Sequence, residues 1–168
     1  SEPRPHSLQV TPVTAPPWTI ARVVTWTTKD LAARGNDSAR LDAELLIASA
    51  LKLRRLDLYL RYDQPLDDAE LARIRVLIER RRKHEPVAYI LGERDFYGRT
   101  FTVDHRVLIP RPETEDAVAA VLERLPPRAE GVTPRVLDLG TGSGCIAVTV
   151  ALERDDVTVD AVELSPAA

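Results

Sequence analysis

The chain has 168 residues, of which 44% are hydrophobic and 29% charged, and 23 basic against 26 acidic side chains leave a formal net charge of −3. That length holds one ordinary domain, or one small domain and part of another, and the charge gives no global attraction to nucleic acid, so no direct nucleic-acid binding is expected. No apolar run is long enough to span a bilayer and no basic start leads into a signal core, so no membrane partner is expected and the cytoplasm is the expected location.

Residues 1–16 carry Pro3, Pro5, Pro12 and Pro16 among polar residues with no apolar period, which reads as a disordered leader. A helical domain is expected over 17–92. Its first helix begins near Thr19, with Ile20, Val23, Val24, Thr27 and Leu31 at helical spacing and Gly35 as its C-terminal stop. A second starts after Asp37 or Ser38, both capping residues, with Leu41, Leu45 and Ala48 along one stripe and Leu46 beside it. Asp42 and Glu44 read as acids favoured by the dipole of its first turn. A short helical piece covers Asp57 to Leu60. The fourth helix opens with Asp67 and Glu70 at capping-box spacing and points Leu71, Ile74, Leu77 and Ile78 inward. Its end is basic: Arg80, Arg81, Arg82 and Lys83 read as a solvated face that complements the helix dipole, with contact to an acidic partner as the alternative.

A β-hairpin linker is expected over 93–109, with Phe96, Phe101 and Val103 flanking a turn at Gly98-Arg99. Two prolines then surround an arginine in Pro110-Arg111-Pro112-Glu113-Thr114, so this segment is a rigid loop that cannot become helical before Pro112. An amphipathic helix follows, with Ala117, Val118, Val121, Leu122 and Leu125 on one face and Glu113, Glu115 and Asp116 near its positive end.

The run Val136-Leu137-Asp138-Leu139-Gly140-Thr141-Gly142-Ser143-Gly144-Cys145 reads as strand, glycine turn and helix start. Glycines let a backbone approach a ligand closely, and the helix start aims free amides and a positive dipole end at it. Nineteen residues after Gly144, the apolar run from Val157 to Val162 ends in Glu163, an acid placed to accept hydrogen bonds from ribose hydroxyls. A dinucleotide site shares this plan, but it wants glycine or alanine where Cys145 stands. Cys145, the single cysteine, reads as a packed helix residue and excludes an internal disulfide. His6, His84 and His105 stand far apart, so no metal site is expected.

With Asp138 ahead of Gly140, Gly142 and Gly144, this stretch resembles motif I of the class I methyltransferases that bind S-adenosylmethionine. Four further blocks stand in order: Asp42-Ala43-Glu44-Leu45-Leu46, the run from Arg80 to Gly92, Phe96-Tyr97-Gly98, and the loop Pro110 to Thr114. Together they resemble the HemK/PrmC family of protein-(glutamine-N5) methyltransferases. The resemblance implies an α/β fold: a small all-helical N-terminal domain that recognises substrate, a β-hairpin linker, and over 110–168 the first βαβ part of a Rossmann-like methyltransferase domain. It implies S-adenosylmethionine as cofactor, held by Asp138, Gly140, Thr141, Gly142, Ser143, Gly144 and Glu163, with Pro110, Arg111, Pro112, Glu113 and Thr114 as the active-site loop. It implies class I peptide chain release factors as partners, methylated on the glutamine of their Gly-Gly-Gln motif in support of translation termination.

One departure matters. The family binds the target amide through an Asn-Pro-Pro-Tyr motif, and these 168 residues contain none; the single asparagine, Asn36, precedes Asp37. No catalytic residue is therefore assigned, and the chain alone is expected to be inactive, a truncated domain whose strands expose apolar faces. A non-catalytic release-factor-binding module and an N6-adenine nucleic-acid methyltransferase are the alternative readings.

Overall fold

A computed structural model describes residues 16–168; all of the expected leader except Pro16 lies outside the described residues. The boundary between two compact units falls between Val76 and Leu77.

The first unit is helical. Helix α1 (Ile20–Ala33) starts at Thr19, whose side chain accepts the Arg22 N–H at 3.4 Å, and ends as Gly35, at φ +79°, donates to the Ala32 carbonyl. Helix α2 (Ala39–Leu51) packs on α1, and the short α3 (Arg55–Leu60) packs on α2. Ile20, Val24 and Leu31 of α1, Ala43, Leu46 and Ile47 of α2, and Leu58 of α3 are buried. The expected α2 stripe holds in part: Ala48 and the neighbouring Leu46 are buried, but Leu41 is exposed and Leu45 half-buried, because α2 also turns Ala43, Ile47 and Ala50 inward. An alanine-rich helix offers apolar residues on several faces, so the pattern alone does not fix which one packs.

Asp42 stands in the first turn of α2 as expected, Glu44 lies beyond it, and both are buried. The Asn36 side chain joins the helix start to Asp42: its Oδ1 accepts the Ser38 N–H at 2.9 Å and its Nδ2 donates to Asp42 Oδ2 at 2.7 Å. Glu44, only 4% exposed, accepts from the Tyr59 hydroxyl at 2.6 Å and from the Arg40 guanidinium, which also donates to the Tyr62 hydroxyl. Burial acts to raise the Glu44 carboxyl, but the hydrogen bonds from Tyr59 and Arg40 and the charges of Arg40 and Arg55 outweigh it and hold it below the usual range.

Helix α4 (Asp68–Arg82) begins in the first unit with a reciprocal capping box: Glu70 N–H donates to Asp67 Oδ1 at 2.7 Å, and Asp67 N–H to Glu70 Oε2 at 2.9 Å. Its basic end lies in the second unit and is engaged locally. Arg80 Nε donates to Glu85 at 2.8 Å, its other nitrogens reach the Tyr89 and Ile90 carbonyls, and Arg81 reaches the Glu85 carbonyl, so these cations fasten the helix end to the next loop.

In the second unit a five-residue helix unforeseen in the sequence, α5 (Val87–Leu91), ends at Gly92 in the left-handed region. Strands β1 (Glu93–Phe96) and β2 (Arg99–Thr102) form an antiparallel hairpin. Its turn is Tyr97-Gly98, one residue earlier than expected, with φ +49° and +71°, the two left-handed positions of a tight hairpin turn. Helix α6 (Glu113–Arg124) starts directly after Pro112, whose backbone is already helical. Strand β3 (Arg135–Leu139), helix α7 (Cys145–Glu153) and strand β4 (Thr158–Val162) make a βαβ unit whose strands are parallel and in register, Val136 opposite Val159 and Leu139 opposite Val162.

Phe96, Phe101, Val118, Cys145 and Val150 form the core of this unit, with Val121, Leu122, Leu125, Val136, Ile146 and Val159 packed around it. Phe96 and Phe101 meet edge to face at 6.1 Å. The sheet is covered on the Val136 and Val159 side only. On its other face Leu137 is 58% and Leu139 71% exposed, and beyond β4 Leu164 is 96% exposed. Parallel strands carry apolar residues on both faces, and here one face is packed and the other meets solvent.

Candidate functional site

The second unit draws its candidate site residues to the C-terminal ends of β3 and β4. Gly140 N–H and Thr141 N–H both donate to the Val162 carbonyl, at 2.7 and 3.1 Å, which ties the start of the turn to the end of the neighbouring strand. Asp138 Oδ2 accepts from the Thr141 hydroxyl at 2.8 Å, so the last acid of β3 folds the turn back over the strand end. Gly144 N–H donates to the Thr141 carbonyl at 2.8 Å and closes the loop before α7.

The three glycines all lie in the left-handed region, at φ +77°, +53° and +76° for Gly140, Gly142 and Gly144. A side chain at any of them would strain the backbone. A methyl at Gly140 or Gly142 would meet nothing within 4 Å, so the space over the turn is open. Cys145 is buried at the helix start, and burial pushes its thiol up, which makes it a packing residue rather than a nucleophile.

Glu163 sits against this turn. Its Oε2 accepts the Gly142 N–H at 2.9 Å and its Oε1 the Ser165 N–H at 3.0 Å. The Ser165 amide, then that of Gly142, hold the carboxyl below its ordinary range. An ionised carboxylate offers about four lone-pair positions, so two amides leave acceptor capacity for hydroxyl donors.

The Pro110–Thr114 segment is placed differently. Pro110 is buried, Arg111, Pro112 and Glu113 are exposed, and Thr114 N–H donates to the Arg111 carbonyl at 3.0 Å to turn the chain into α6. The next residue, Glu115, accepts the Tyr97 N–H at its Oε1 at 2.9 Å, joining α6 to the hairpin turn. A cleft of about 330 Å³ is lined by the glycine turn at Gly142, Ser143 and Gly144, by Thr102, Asp104, Arg106 and Val107, and by Ala168. Sequence reasoning missed Asp104 and Arg106; the signal available was an acid and an arginine two residues apart just after a strand. Among the described residues no cluster of His, Cys, Asp or Glu could hold a metal ion, and no helix is long and apolar enough to cross a membrane.

Residues 22–92 match the PrmC N-terminal domain. The chain is 47% identical over 151 residues, 90% of its length and 51% of the relative's, to a release factor glutamine methyltransferase of Geobacter sulfurreducens. Similar proteins of the same name occur in Neisseria gonorrhoeae, 50% identical over 126 residues (75% of this chain, 44% of that one), and in Rhodopirellula baltica, 41% over 150 residues (89% and 51%). The chain belongs to the HemK/PrmC family. It spans about half the length of the curated relatives it matches. The matched span takes in α1 from Arg22 onward and the whole of α2, α3, α4 and α5.

Proposed function

We propose that this chain carries the cofactor-binding part of a protein that methylates the side-chain amide of a glutamine in class I peptide chain release factors, with S-adenosylmethionine as methyl donor. The observation that carries the reading is the union of Gly142 and Glu163. A left-handed glycine turn and an ionised acid meet at the carboxyl ends of two adjacent parallel strands, the place where open α/β sheets bind nucleotide-like ligands. That same topology supports the Rossmann-like reading of the β3–α7–β4 unit. The family names of the relatives supply the substrate class.

The donor set suits such a cofactor. Glu163, ionised at neutral pH, would accept from ribose hydroxyls, and the open turn from Gly140 to Gly144, with Asp138 holding Thr141 beneath it, would lie against the methionine part. When bound, S-adenosylmethionine supplies a methyl group on a sulfonium. An amide nitrogen is a poor nucleophile because its lone pair is delocalised, so transfer depends on groups that orient and polarise the amide. Within residues 1–168 no Asn-Pro-Pro-Tyr segment offers those groups, so these residues by themselves are proposed to bind without transferring. The first unit and the loop Pro110–Thr114 are proposed to face the protein substrate, in the cytoplasm where translation proceeds.

The test is a methyl-transfer assay with labelled S-adenosylmethionine and a purified release factor, run on this chain and on a version extended through an Asn-Pro-Pro-Tyr segment of a relative. Label on the Gly-Gly-Gln glutamine from the extended version alone is the expected result. Label from residues 1–168 would refute the proposed division of labour, and no label from either would refute the activity.

A further inference from the structure

The cleft that the glycine turn lines also carries a solvent-exposed ion pair. Arg106 Nε donates to Asp104 Oδ1 and Oδ2 at 2.8 and 2.9 Å, Arg106 Nη2 to Oδ2 at 2.6 Å, and the Arg106 N–H to Oδ1 at 2.9 Å. The two residues belong to one turn and bridge no separate elements, and the Arg106 side chain remains about half exposed. The guanidinium hydrogen bonds hold the Asp104 carboxyl down at about 2, so both partners stay charged at any physiological pH. A charged pair therefore lines the same cleft as Gly142, Ser143 and Gly144.

We infer that Asp104 and Arg106 recognise the α-amino-acid end of the cofactor, its carboxylate accepting from the Arg106 guanidinium and its ammonium donating to Asp104. The inference rests on the cofactor reading above. Three features converge on it. The ligand group has the same two charges side by side in the opposite sense, so one pair can answer both. Asp104 holds the Nε and Nη2 edge of the guanidinium, which among the described residues leaves Nη1 to donate to a carboxylate. And the cleft is lined both by this pair and by the turn against which a methionine part would lie, while Glu163 stands on the β4 side for the ribose.

The experiment is isothermal titration of two ligands, S-adenosylhomocysteine and 5′-methylthioadenosine, which lacks the amino-acid end, into this chain and into the extended version of the methyl-transfer assay. Both ligands carry the ribose, so the difference between them isolates the group in question. Unsubstituted protein should prefer S-adenosylhomocysteine. Arg106→Ala should weaken that ligand by about tenfold, as expected for losing a charged hydrogen-bond partner, with 5′-methylthioadenosine unchanged. Arg106→Lys should fall between, and Asp104→Asn should also reduce the preference. A full preference retained in Arg106→Ala would overturn the inference, and so would equal weakening of both ligands. Binding of 5′-methylthioadenosine with no preference in unsubstituted protein would overturn it while leaving the cofactor reading intact. No binding of either ligand by either form would overturn both.

Discussion

Gly142 donates its backbone N–H to the Glu163 carboxylate at 2.9 Å, although the two residues belong to different loops separated by the whole of α7 and β4. The turn and the acid thus form one unit before any ligand arrives. Each fixes the other: the amide orients the carboxylate, and the carboxylate holds the glycine in its left-handed state.

Replacing Glu163 by glutamine keeps the shape, removes the charge, and sets an amide NH₂ against one of the two backbone donors. S-adenosylhomocysteine affinity should fall by about tenfold or more. The folded pKa lies below the ordinary 4.5, so the ionised form stabilises the turn; that contribution is full above the ordinary value and is lost as the pH falls through the lowered one. Affinity should therefore be flat from about pH 8 to about pH 5 and decline on further acidification. Titration calorimetry across that range checks it, and unaltered affinity in Glu163→Gln would reject the ribose assignment.

Gly142→Ala tests the turn itself. The methyl would meet no atom within 4 Å, so any cost is that of holding an L-residue at φ +53°. A loss of about 1–2 kcal/mol in denaturant unfolding is expected. A variant as stable as its parent would show that the left-handed backbone is not maintained in solution.

Glu44 is the keystone of a polar cluster in the first unit. Glu44→Ala takes the buried acceptor from Arg40 and the Tyr59 hydroxyl, both of which reach solvent, and should destabilise the protein by about 1–2 kcal/mol. Because the carboxyl is held below its usual range, the ionic contribution should be present at neutral pH and disappear as acid protonates it. Denaturation midpoints at pH 7 and pH 3 measure this; equal losses at both would show that shape, not charge, is what matters at this position.

Glu115→Ala releases the Tyr97 N–H at the hairpin turn. About 1 kcal/mol of stability should go with it, and the Tyr97 amide should exchange with solvent markedly faster while the β3 and β4 amides keep their protection. Unchanged exchange at Tyr97 would mean the carboxylate is not its partner in solution.

Features encoded by a local rule were legible in the sequence. Thr19 and Gly35 bound α1, Asp67 and Glu70 cap α4 by the reciprocal bonds their spacing suggests, and Gly140, Gly142 and Gly144 all take left-handed angles. What escaped depends on contacts between distant residues. Nothing near Glu44 announces Tyr59, fifteen positions away, so an acid early in a helix read as a dipole partner rather than a buried acceptor. The α2 stripe was right at Ala48 and wrong at Leu41 and Leu45, because Ala43 and Ala50 fit a core as readily as those leucines do. Asp104 and Arg106 escaped for a different reason: their pairing is local, but only the fold brings that pair to the cleft of the glycine turn.

Strand alignment has a consequence for chemistry. Parallel pairing sets Leu139 beside Val162, with Val136 and Val159 on the covered side. A slip of β4 by one residue would turn Val159 to solvent and carry Glu163 along the strand by about 3.3 Å, out of hydrogen-bonding range of Gly142. The apolar preference of one sheet face therefore acts as the ruler for the acid at its end, and substitutions of Val136 or Val159 should be felt at the cleft although neither side chain reaches it.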